Sequence, residues 1–309
     1  MEKKAIRNAY GEALKRLGEI NKNVVVLDAD LSGSTMTKTF KTAFPDRFFN
    51  MGIAEQNMLG AAAGLAIEGK IPFASTFAMF GAGRAFEIIR NSICYPKLNV
   101  KVAVTHSGIS VGEDGASHQS IEDISIMRSI PNMTVIVPCD AVEAEKAVFA
   151  AAEYNGPCYL RMARPATNII TNQDTPFKIG KANVLREGKD ICIFATGIVV
   201  SESLLAAEMA EKDGISASVV NIHTIKPIDR NIIVEMAKKH KKLVSVEEHS
   251  IIGGLGSAIS EVLTDEYYSQ LLRLGIKDTF GESGTVDELM NKYGLTAKCI
   301  YEEIKKIIL

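Results

Sequence analysis

The chain has 309 residues, 47% of them apolar and 23% charged, with a formal net charge of −2. This balance lacks the basic excess that binds nucleic acid and the acidic excess that keeps a chain disordered, and the length predicts two domains. The five cysteines are scattered with no CxxC pair, MEKKAIRNAY lacks the apolar core of a signal peptide, and Met58–Ile67 is too short to span a bilayer. A soluble cytoplasmic protein with reduced thiols and no membrane partner is expected.

Ala5–Leu17 sets Ile6, Ala9, Tyr10, Ala13 and Leu17 on one face, predicting an amphipathic helix with Arg7 near its start. VVVLD (Val24–Asp28) is a β-branched run of the kind that forms a strand buried on both faces. DADLSGST comes next and puts Asp30, Ser32 and Ser34 beyond the strand end, in a plain turn or in a site. FFNM predicts a second short strand, and Glu55–Ile67 a helix in which Gly60, Ala61, Ala63 and Gly64 let another backbone approach closely. Glu55 is then either held at a crowded helix start against a partner or solvated there and favoured by the helix dipole. IPFAS reads as a buried strand followed by a loop, with Phe77 and Phe80 as core filler or as a stacking platform.

KVAVT leads into THSGISVGEDGASHQ (Thr105–Gln119), a glycine-rich loop carrying His106, Glu113, Asp114 and His118. Open α/β sheets place ligand chemistry in such loops, beyond the carboxyl ends of strands. Ser120 with Asp123 resembles a capping box that starts the next helix, and Asp140 with Glu143 repeats the signal for a helix from Ala141 to Tyr154. CYLRMARP reads as a strand with Arg164 beyond its end. The strand–helix alternation over residues 1–165 argues a parallel sheet with helices on both faces. Residues 166–189 read as a crossover linker with a short strand around Ala182–Leu185. Residues 190–309 repeat the alternation, so the predicted fold class is α/β with two parallel-sheet αβα domains. GGLGSA (Gly253–Ala258) departs from the GxGxxG spacing and reads as close packing at a helix start.

No GxSxG, HExxH, P-loop or metal-ligand set is present. What remains is a group of polar residues at predicted strand ends: Arg7, Asp30, Ser34, Glu55, His106, Asp114, His118 and Arg164. Two arginines and a serine suit a phosphate or carboxylate. Two histidines and an aspartate suit recognition of hydroxyls and carbonyls with proton transfer near neutral pH. Residue types alone do not choose the reaction.

MGIAEQNMLGAAAGLA, STFAMFGAGRAFEIIR, THSGISVGEDGASHQSIEDISIMRSIPN and YLRMARP together resemble the pyrimidine-binding domain of transketolase. ICIFATGIVV, NIHTIKPID and VEEHSIIGGLGSAI resemble the transketolase C-terminal domain, so the likeness covers nearly the whole chain. It implies the C-terminal half of a transketolase on a separate subunit. The activity implied is thiamine-diphosphate-dependent transfer of a two-carbon ketol unit between sugar phosphates, a reaction of the pentose phosphate pathway.

Each site residue takes an implied role from that resemblance. Glu55 hydrogen-bonds N1′ of the aminopyrimidine from an apolar crevice that raises its pKa, favouring the imino tautomer that deprotonates C2 of the thiazolium. Phe80, with Phe77 nearby, is the wall that stacks on the pyrimidine, and Asp30 lies beside the cofactor. Arg7, Ser34, His106 and Arg164 hold the sugar phosphate. Asp114 reads the 2-hydroxyl, and His118 lies at the reacting carbons, catalytic together with Glu55.

One family motif is missing. The GDG sequence with a later Asn, which holds Mg²⁺ (or Ca²⁺) and the diphosphate, has no counterpart; Glu113-Asp114-Gly115 falls within the sugar-binding match and has no suitable Asn after it. The resemblance therefore implies that an N-terminal transketolase subunit supplies metal and diphosphate binding in an α2β2 heterotetramer, and that this chain alone is inactive. A half of deoxyxylulose-phosphate synthase shares GIAEQ and a DGxxHQ loop but has no histidine matching His106. The beta subunit of a 2-oxoacid dehydrogenase carries an equivalent glutamate without GEDGASHQ. A non-catalytic scaffold has no use for Glu55, both histidines and Arg164 together.

Overall fold

Runs of β-branched residues form the central strands of two sheets in the computed structural model, which describes residues 2–308. The first half contains β1 (Lys3–Ala5), β2 (Val24–Asp28), β3 (Phe48–Asn50), β4 (Ile71–Phe77), β5 (Lys101–Thr105), β6 (Thr134–Ile136), β7 (Cys158–Arg161) and β8 (Ala166–Asn168). The second contains β9 (Asn183–Arg186), β10 (Ile191–Ala195), β11 (Ala217–Asn221), β12 (Thr224–Lys226), β13 (Lys242–Ser250) and β14 (Leu271–Ile276). A seven-stranded sheet runs β12-β6-β7-β5-β4-β2-β3 and a five-stranded sheet runs β14-β13-β10-β11-β9. Apart from β12 and β9, each an antiparallel edge, every pairing in both sheets is parallel. This is the expected α/β class with two mainly parallel sheets. Among the described residues no helix is long and apolar enough to cross a membrane.

The helix Ile6–Ile20 buries Ile6, Ala9, Tyr10, Ala13 and Leu17, the face its sequence period marks. Asp140 caps the helix Ala141–Glu153 by accepting from the Glu143 amide at 2.8 Å, while the Glu143 carboxylate turns to the amide of Cys139. At GGLGSA the packing is close: a side chain at Gly254 would meet Glu247 and one at Gly256 would meet Ser245 and Arg273.

Four local expectations change. Residues 166–189 carry the expected short strand, as β9, which joins the second sheet, and also an unexpected strand, β8, which pairs antiparallel with β1. β12, from the second half of the chain, adds to the edge of the first sheet beside β6, with Thr224 opposite Ile136, so the two halves interlock. The Ser120–Asp123 capping box does not form. Asp123 starts its helix buried, and accepts from the Tyr159 hydroxyl and Arg161 Nε, both at 2.8 Å, because an arginine inside the strand needs an anion. Lastly, the loop expected after β4 is replaced by a π-helical turn, Met79–Arg84; such turns are frequent at functional sites.

Candidate active site

β4 and β5 are neighbours in register, Phe77 opposite Thr105, so the residues just beyond the two strands meet at one sheet end. Phe77 closes β4 and His106 comes directly after β5, and their rings stack with centroids 3.8 Å apart and planes at 23°. His106 has a left-handed backbone (φ +56°), and its Nδ1 is 2.8 Å from the Thr105 hydroxyl. Burial first, then the charges of Arg7, Arg164 and His118, push its pKa down to about 3. It is a neutral imidazole near neutral pH, fit to donate or accept a hydrogen bond but not to serve as a cation.

The π-helical turn presents Phe80 and Arg84 on the same rim. His118 meets the Phe80 ring edge-on at 5.3 Å, and the Arg84 guanidinium lies over that ring at 5.6 Å. Arg84 Nη1 donates to Glu55 Oε2 at 3.1 Å. Glu55 is the first residue of the helix Glu55–Ile67 and only 1% exposed. Its carboxylate thus faces a cation and not the purely apolar crevice expected, because a buried carboxylate without a partner is strongly disfavoured. Glu55, Arg84, Phe80, His118, Phe77 and His106 form one continuous set of contacts.

Arg164, beyond β7, donates to the Val111 carbonyl and lies 3.4 Å from Glu113 and 3.8 Å from Asp114. Asp114 is therefore paired with the arginine expected to bind phosphate. Arg7 donates to the backbone carbonyl of Ser34 at 2.9 Å, so Ser34 orients Arg7 through its main chain. Burial and the charge of Arg164 both lower the pKa of Arg7. Arg7 and Arg164 lie close enough that their charges act on each other and on His106, two cations that can serve an anion. Asp30 stands instead at the ends of β2 and β3, with left-handed backbone (φ +65°), accepting from Asn50 Nδ2 at 2.9 Å. Sequence reasoning did not single out Arg84, Thr105 or Arg161. Only Arg161 carried a signal, as a charge inside a short apolar strand.

An open parallel sheet with a buried carboxylate, stacked rings and cations at its strand ends defines an α/β ligand-binding domain. Residues 2–169 match the family "Transketolase, pyrimidine binding domain", and residues 180–300 match "Transketolase, C-terminal domain". A putative transketolase C-terminal section from Methanocaldococcus jannaschii is 55% identical over 98% of this chain and 97% of its own length. A 6-deoxy-6-sulfo-D-fructose transketolase subunit from Clostridium sp. strain MSTE9 is 42% identical over 96% of this chain and 92% of its own. The structure of a split-gene transketolase, described as an inactive β4 tetramer, superposes with a TM-score of 0.92 at 55% identity, covering 98% of this chain and 97% of that one. The chain belongs to the transketolase family, of which it carries the pyrimidine-binding and C-terminal domains.

Proposed function

We propose that this chain is the C-terminal subunit of a two-chain transketolase that moves a two-carbon ketol unit from a ketose phosphate to an aldose phosphate. The observation that carries the reading is the buried Glu55 at a helix start, joined through Arg84 to the ring of Phe80. A buried carboxylate beside a flat aromatic wall fits an aminopyrimidine, which needs one strong acceptor at its edge and an apolar surface on its face. Thiamine diphosphate, when bound, supplies the nucleophilic carbon and the electron sink.

The chain's own residues supply the rest. Glu55 holds the proton at N1′, Phe77 and Phe80 form the stacking wall, and Asp30 lies beside the cofactor. Arg7, held by Ser34, binds the sugar phosphate with His106 and Arg164. Asp114 accepts from the sugar 2-hydroxyl, and His118 moves protons at the reacting oxygens. The pyrimidine-binding domain is residues 1–165, joined through 166–189 to the C-terminal domain at 190–309. A cytoplasmic N-terminal subunit holds Mg²⁺ or Ca²⁺ and the diphosphate in an α2β2 complex.

The test is to mix this chain with a purified diphosphate-binding subunit, thiamine diphosphate, Mg²⁺, xylulose 5-phosphate and ribose 5-phosphate. Sedoheptulose 7-phosphate should form only in the mixture. An intact complex that makes none overturns the assignment. The cation cluster around Arg7 and Arg164 would also suit a sulfonate, another tetrahedral oxyanion, and the sulfosugar relative favours trying one. A second arm with 6-deoxy-6-sulfo-D-fructose as donor decides between the two sugar classes.

A further inference from the structure

Strands alternate their side chains, and β13 carries two adjacent buried carboxylates, Glu247 and Glu248. Glu247 stays in its own domain, accepting from the amides of Leu255 and Gly256 at 2.6 and 2.8 Å to cap the helix Leu255–Glu266. Glu248 points the other way, into the first domain. Its Oε1 accepts from the amide of Ser110 at 2.5 Å, in the middle of the loop that runs from His106 to His118.

We propose that Glu248 is a positioning residue for the sugar-facing loop: from the second domain, its carboxylate fixes the loop backbone so that His106 and His118 stay set against Phe77 and Phe80. The inference rests on the functional reading above for what the loop binds.

The loop is built to receive this carboxylate. Gly108 has φ +74°, and a side chain there would collide with the Glu248 carboxyl group, so only glycine fits. Arg161 lies beneath, donating to the Glu248 carbonyl at 3.1 Å and to the Ser120 carbonyl at 3.3 Å, which places a cation beside the buried acid. Burial still pushes the Glu248 pKa up to about 7, against the opposing pull of Arg161 and Ser110. Further ties bind the far end of the loop to the same domain. Gln119 Nε2 donates to the Glu282 carbonyl at 2.8 Å while also holding the Gly112 carbonyl at 3.1 Å, and the Ser250 amide donates to the Ile121 carbonyl at 2.8 Å. Among these ties Glu248 is the only side-chain carboxylate.

The test measures amide hydrogen exchange and steady-state kinetics on the assembled two-chain complex for Glu248→Ala, Glu248→Gln and Glu247→Ala. Glu248→Ala should speed exchange at residues 108–112 by about tenfold, raise KM for the ketose phosphate about tenfold through His106, and lower kcat several-fold through His118. Glu248→Gln keeps an oxygen that accepts from Ser110 and should recover most of each effect. Glu247→Ala should loosen residues 255–266 and leave the loop's exchange as in wild type. Unchanged loop exchange in Glu248→Ala overturns the proposal, as does faster exchange with an unchanged KM, or a Gln variant as impaired as the Ala one. Should Glu248→Ala fail to fold, Glu248→Asp takes its place, since its shorter side chain withdraws the carboxylate from the Ser110 amide and should speed exchange at the same residues. If the wild-type complex transfers no ketol unit, the functional reading fails, and the exchange data still decide whether Glu248 holds the loop.

Discussion

The two sheets end their strands in polar residues and use them differently. At the ends of β4, β5 and β7, Phe80, His118 and Arg164 remain partly exposed, and the Phe80 and His118 rings meet across loops. At the ends of β10, β11 and β13, Thr196, Asn221, Glu247 and Glu248 are buried. Each is committed to the protein: Thr196 donates to the Ile222 carbonyl, Asn221 to Glu143, and the two glutamates accept from Leu255 and Ser110. One parallel sheet thus offers its carboxyl end to a ligand, and the other presses its carboxyl end against its neighbour. The architecture fixes where polar groups gather. Whether they form a site or a brace depends on whether neighbouring protein groups already satisfy them.

The largest expected effect lies on the site side. Glu55→Ala should lower turnover of the assembled complex by about 10²-fold or more, in line with loss of an essential proton-handling group. Size-exclusion chromatography should show the complex intact, and more than a few per cent residual activity removes Glu55 from its role. On the brace side the sharpest probe is Arg161→Ala. Arg161 and Asp123 are buried together, 2.8 Å apart, and removing the cation strands the anion. A loss of about 3–5 kcal/mol in urea unfolding is expected. A variant as stable as wild type would mean that this buried pair contributes nothing to the stability of the first domain.

Much of the fold was legible because period and capping act locally. VVVLD, KVAVT and ICIFA became strands buried at every residue, and the Asp140 cap formed as its spacing indicates. The Ser120–Asp123 box had the same local form and failed, because Arg161, distant in sequence, draws Asp123 into the core. Three-residue β12 crosses to the first sheet, a placement set by pairing and not by pattern. Around the site, Phe77, Phe80, His106 and His118 could be named as residues beyond strand ends, and adjacent strands bring their rings into contact. The Arg84–Glu55 bond joins residues 29 apart on two helical segments, which no spacing rule anticipates. Nor could sequence show that the Ser34 contact to Arg7 runs through a carbonyl.

His106 gives the intermediate effect. Replacing it by alanine should raise KM for phosphorylated sugars about tenfold with little change in kcat, the mark of lost ground-state binding. An unchanged KM takes His106 out of the phosphate site.

The smallest effect is a pH dependence whose sign differs between His106 and Glu248. The folded pKa of His106, about 3, lies below its ordinary 6.5. Between those values the unfolded chain binds a proton that the native chain refuses, so stability falls as pH drops through that window. Glu248 behaves oppositely. Its folded pKa of about 7 exceeds the ordinary 4.5, so its contribution is complete below 4.5 and is lost as pH rises through 7. Over the shared window the two slopes oppose each other, which a wild-type profile alone would hide. Urea unfolding of wild type, His106→Asn and Glu248→Gln at several pH values between 4 and 8 resolves them. The Asn variant should lose less stability than wild type on acidification, and the Gln variant should lose less on going from acid to neutral pH. If His106→Asn tracks wild type down to pH 4, the imidazole is not held neutral by its burial against Phe77, and the packing that defines this end of the first sheet is wrong.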